Sequence, residues 1–263
     1  GLPQAGASFS DHLLSWLREP MLDGVRHRET GFSAGSDHYI LSDPSVGIPT
    51  PMLIQWPDKY YHTSADTPEK VSPDSLARSG TLAAAYACWL ANAGSAEVAW
   101  LAHLMVSQYA GRAAAETAEA VASGKGDLAR FERRHAFRAE RIAAALGELV
   151  RLDAGFAARL PDVRREVADI AARELAWARE QAGESHSMSD TRAADEPWRT
   201  EAAALYPRRT SPGPIDVGMA LQADHPELLP RFWALGERGG HALYDAAVLL
   251  QYWADGSRSI AEI

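Results

Sequence analysis

Residues 72–182 constrain the fold more than any other stretch of the chain. Ser72 offers a hydroxyl for an N-cap, Pro73 suits the first helical position, and Asp74 puts a carboxylate in the first turn. Leu76, Leu82, Ala83, Tyr86 and Leu90 then recur at helical spacing, and Gly94 stands where it would close the helix. Ala, Leu, Glu and Arg dominate the residues from there to 182. The periodicity predicts further helices over about 96–122, 127–152 and 162–182, the last on Val163, Val167, Ile170 and Ala171. The most apolar run, 82–106, is interrupted by Asn92, Gly94, Ser95, Glu97 and His103. A bilayer span needs about 20 apolar residues in a row, so this run reads as two buried helices around a Gly-Ser break.

The rest of the chain differs in composition. Residues 1–71 are rich in Gly, Pro and Ser, with a helix expected over 10–18, capped by Ser10, and short strand candidates at 25–29, 39–41 and 51–55. The last of these, in Pro51-Met52-Leu53-Ile54-Gln55-Trp56, is apolar on both faces, as in a strand inside a helix-covered sheet. Residues 183–213 are polar and broken by Pro197, Pro207, Pro212 and Gly213, which reads as a linker. Beyond it, helices are expected at about 227–236 and 241–254, then a turn at Asp255-Gly256 and a capping box, Ser259 to Glu262. A box announces a helix, yet the sequence stops one residue later, and no initiator Met opens it. The expectation is a piece of a longer protein.

Charge and cysteine usage narrow the function. The formal net charge is −9, which disfavours binding to phosphate backbones. Cys88 is the one cysteine, so an internal disulfide and a multi-thiolate zinc site are excluded. That is the usage of a reducing compartment or of a secreted protein without bridges, and the expectation is the cytoplasm. Cys88 itself reads as core, in a helix interior. No His-Glu-x-x-His helix, P-loop or Gly-x-Gly-x-x-Gly occurs.

Chemistry gathers in two loop clusters. One is Gly35-Ser36-Asp37-His38. The other is Tyr60-Tyr61-His62-Thr63-Ser64-Ala65-Asp66-Thr67, just past the candidate strand at 51–55. A His beside a Tyr at a strand end is well placed to meet a ligand. Together with Gly47-Ile48-Pro49 and the helix from Ser72, these clusters resemble the C-terminal part of the di-zinc aminopeptidases, metallopeptidase family 28, over about residues 30–93. Trp56-Pro57-Asp58 is similar to one bacterial branch of that family, whose members carry a C-terminal winged-helix module. The tail from Asp255 to Ile263 resembles the first half of such a module.

The resemblance implies an α/β remnant of an aminopeptidase sheet over 1–94, a helical region over 95–182, the linker over 183–213 and a partial winged-helix module over 214–263, predominantly helical overall. It implies two zincs held by two His, two Asp and a Glu, with a second Glu as general base. His62 falls on the last His ligand and Tyr61 on the residue that stabilises the oxyanion. Asp37 falls in or near the outer shell of the metal site. Ser36 and His38 would line the substrate rim, and Asp66 would tie down the loop after His62. The other ligands precede residue 1 in the family's order, so this chain would hold at most one partial zinc site and be inactive alone. The implied function is that of a fragment of a zinc-dependent hydrolase that removes N-terminal residues from peptides. It has a peptide substrate, no nucleic-acid or membrane partner, and room for a homo-oligomer. The alternatives are a non-catalytic binding or scaffold protein on the same fold, or a helix-turn-helix nucleic-acid binder. Against the latter, Arg231, Arg238 and Arg258 are the only basic residues after Arg209.

Overall fold

A computed structural model describes residues 8–32, 35–122, 128–182 and 197–263 of the chain. Among them the protein is predominantly helical and contains no strand. It divides into two compact units that do not follow chain order. One combines Ser8–Thr30 with Pro51–Gly183. The other combines the described residues of Gly31–Thr50 and Glu184–Ile263.

The first unit holds α1 (Ser10–Met21), α3 (Pro73–Asn92), α4 (Ser95–Ala122), α5 (Leu128–Gly147) and α6 (Leu160–Ala182). Helix α4 forms its spine. Val98, Leu101, Ala102, Met105, Val106, Tyr109, Ala113 and Thr117 are buried along it, a stripe at three- and four-residue steps. Its polar member, Thr117, donates to the Ala113 carbonyl at 2.7 Å, which satisfies the buried hydroxyl. Leu146, Leu149 and Val167 close the core from the α5 and α6 side. His135 on α5 is buried, and its Nε2–H donates to the Ala171 carbonyl on α6 at 2.9 Å, joining the two helices. Between α1 and α4, Trp16 meets Trp100 edge to face at 4.6 Å.

The helices lie where the periodicity puts them, but several end signals act differently. Ser72 caps α3 as expected, its Oγ accepting from the Ser75 N–H at 3.3 Å. Ser10 does not cap α1; Phe9 occupies that position. Ser10 is instead fully buried and hydrogen-bonds the Tyr86 hydroxyl at 2.6 Å. Gly94 serves the start of α4 rather than the end of α3. Its N–H donates to the Glu97 carboxylate at 3.0 Å, and its carbonyl accepts from Val98. Cys88, expected in the core, is exposed, because α3 buries only Leu82 and turns its other faces outward. Leu76 is 63% exposed for the same reason.

The strand candidates do not form. Residues 39–41 belong to α2 (His38–Leu41), a single turn. Residues 25–29 and 51–55 are irregular, and Leu53 and Ile54 are exposed. Extended chain becomes a strand only where a second segment supplies ladder partners, and no described segment does so here.

In the second unit, α7 (Pro197–Ala204) lies within the stretch expected as linker. Helices α8 (Val217–Asp224), α9 (Leu229–Gly239) and α10 (His241–Trp253) come after it. Asp216 caps α8 through the Met219 N–H at 2.9 Å. The residues after α7 clasp the tail: Arg209 N–H donates to the Ala254 carbonyl at 2.8 Å, and Gly256 N–H to that of Pro207 at 3.0 Å. At the tail, the Glu262 carboxylate accepts from both the N–H and the Oγ of Ser259, at 2.7 and 2.9 Å.

Candidate functional site

The loop between residue 56 and α3 is irregular but tightly bonded to itself. Asp58 Oδ1 accepts from the Tyr60 N–H at 2.8 Å. The Tyr60 carbonyl accepts twice from Thr63, from Oγ1 at 2.6 Å and from the backbone at 3.0 Å. The Thr63 carbonyl in turn accepts from the Asp66 N–H at 3.1 Å. These bonds make a compact bend with His62 at its apex. His62 has φ +57°, the left-handed region that costs an L-residue about 1–2 kcal/mol. The Tyr61 ring stacks on the His62 imidazole at 3.8 Å, and Trp56 meets Tyr61 edge to face at 5.9 Å. Trp56 and Tyr61 are exposed at 63% and 45%, so the row of three rings opens to solvent. Lys59 and Lys70 each place Nζ 5.0 Å from the centre of the Tyr60 ring.

The second cluster lies in the other unit. Ser36 and Asp37 are exposed and open α2, while His38 is buried beside Phe32, the rings 5.8 Å apart. The turn after α2 is fastened by Asp43, which is fully buried. Asp43 accepts from Ser45 at 2.6 and 2.8 Å. It also takes the Arg209 guanidinium in both oxygens, at 2.6 and 2.8 Å. Burial pushes the Asp43 carboxyl up, but the Arg209 and Ser45 hydrogen bonds outweigh it and hold its pKa below the ordinary value.

The six residues singled out in the sequence are thus divided: Tyr61, His62 and Asp66 in the first unit, Ser36, Asp37 and His38 in the second. Among the described residues, no group of three or more His, Cys, Asp or Glu side chains could hold a metal ion. The side chains around His62 therefore do not by themselves fit a two-zinc centre, which needs about five or six ligands. Arg209 and Tyr252, which brace the second cluster, had no sequence signal, because Arg209 lies 166 positions from its partner Asp43.

Residues 13–87 match the family model of Peptidase family M28. The matched stretch includes both clusters and covers less than a third of the chain. No curated protein and no solved structure matches the chain. No described helix is long and apolar enough to cross a membrane.

Proposed function

We propose that the chain carries the C-terminal part of the reaction site of a zinc-dependent aminopeptidase-like hydrolase. His62 serves as a metal ligand and Tyr61 as the oxyanion donor. The further ligands are those that the family's order places ahead of residue 1. The observation that carries this reading is the strained bend at His62 inside the matched segment. A non-glycine residue in the left-handed region costs free energy, and such strain concentrates where a side chain must be aimed. The bend presents the imidazole at its apex and sets the phenol against it at 3.8 Å.

In this reading the two side chains divide the work. The Tyr61 O–H donates to the oxygen on which negative charge develops as the peptide carbonyl becomes tetrahedral. Stacking on the imidazole and the edge contact with Trp56 limit the ring's freedom, so the donor needs little reorganisation. Asp66 steadies the bend, and the cluster of the other unit is read on its own, with Ser36 and His38 as a rim that contacts peptide.

Zinc titration followed by the histidine side-chain NMR signals tests the assignment, since the chain has nine His. The His62 signals are expected to respond at the lowest zinc concentration, and the response should vanish in His62→Gln. A His62 signal that stays unmoved while others shift would sink the ligand role. An aminoacyl-nitroanilide assay of the 263-residue chain with added zinc should show no turnover. Turnover abolished by His62→Ala would mean that the chain completes the metal site itself, contrary to the proposal.

A further inference from the structure

Gly31–Thr50 lies inside the matched segment, yet it folds with the C-terminal residues, while the stretches on either side of it belong to the other unit. We infer that Arg209 and Tyr252 are positioning residues that set the place of Ser36, Asp37 and His38. Helix α2 is one turn of four residues, too short to hold a shape alone. Its position therefore comes from what grips it.

Three grips are present, all from the C-terminal stretch. The forked Arg209–Asp43 pair fixes an angle as well as a distance, because both oxygens and both nitrogens are engaged. Ser45 Oγ extends it, donating to Asp43 and accepting from the Gly213 N–H at 2.7 Å. On the other side of the turn, the Tyr252 hydroxyl donates to the Tyr39 carbonyl at 2.9 Å. The Tyr252 ring also packs on Phe32 at 5.7 Å, and Phe32 packs on His38. The bonds fall at positions 39, 43 and 45, immediately after the three residues they place. The C-terminal stretch thus acts as a mould for the turn that carries Ser36, Asp37 and His38. The consequence for substrate rests on the proposed rim role of Ser36 and His38.

The test uses the whole chain with Tyr252→Phe, which removes one hydroxyl, and Arg209→Lys, which keeps the charge and loses the fork. Site-resolved amide exchange and the His38 side-chain signals are read, and trialanine binding is followed by calorimetry. In each variant, exchange over residues 39–47 should rise about tenfold, with α4, α5 and α6 unchanged. The His38 signals should move, and trialanine should bind more weakly. Exchange at 39–47 that is unaltered, or that rises only in step with the whole chain, overturns the positioning role. A local rise that leaves trialanine affinity untouched overturns its link to substrate. If the unsubstituted chain does not bind trialanine, the rim reading fails, while exchange and the His38 signals still decide the positioning.

Discussion

At the scale of single residues, two side chains carry unusual energetic weight. Asp43 has no exposed surface and Arg209 only 11%, so each is the other's replacement for water. Asp43→Ala strands a buried guanidinium, and denaturant titration should show a loss of about 3–5 kcal/mol. The pair also sets a pH dependence. The folded-state pKa of Asp43 is depressed. Its contribution is therefore present above the unfolded carboxylate value of about 3.9 and is lost as pH falls through the lower folded value. Unfolding midpoints at pH 7 and pH 3 should differ by less in Asp43→Ala than in the unsubstituted protein. His62 is the second case. Its positive φ is tolerable for Gly and poor for a β-branched residue. His62→Val should be less stable than His62→Gly by about 1–2 kcal/mol, and equal midpoints would remove the strain on which its role was argued.

At the scale of elements, packing outweighs end signals. Ser72 caps α3 at the surface, and Ser72→Ala should cost about 1 kcal/mol in a thermal or urea melt. Leu146 is fully buried between helices, and Leu146→Ala should cost about 2–5 kcal/mol in the same measurement. The reverse order would mean that the described core is not the one that stabilises the unit. The same hierarchy explains why Ser10 abandons a cap it could have made. A hydroxyl enclosed by packing needs a partner inside, and Tyr86 supplies it. Gly94 obeys local chemistry too, since the Glu97 carboxylate three residues on can reach its N–H.

At the scale of the whole molecule, hydrogen exchange should be strongly graded. Residues 51–59 make no ladder bonds, and their amides should exchange near intrinsic rates. The α4, α5 and α6 amides should be the slowest; slow exchange across 52–56 would mean that this segment is paired after all. Helix positions were legible in the sequence because a helix satisfies its own backbone, and its buried stripe is written every three or four residues. The two chemical clusters were legible as well, since each is contiguous. A strand is not self-sufficient in this way, so the apolar run at 51–55 could state its preference for burial but not supply its neighbours. Nor could the division into units be read along the chain. Among the bonds that join Gly31–Thr50 to the C-terminal residues is one between a carboxylate and a guanidinium 166 positions apart, and only the folded chain brings such groups within 2.6 Å.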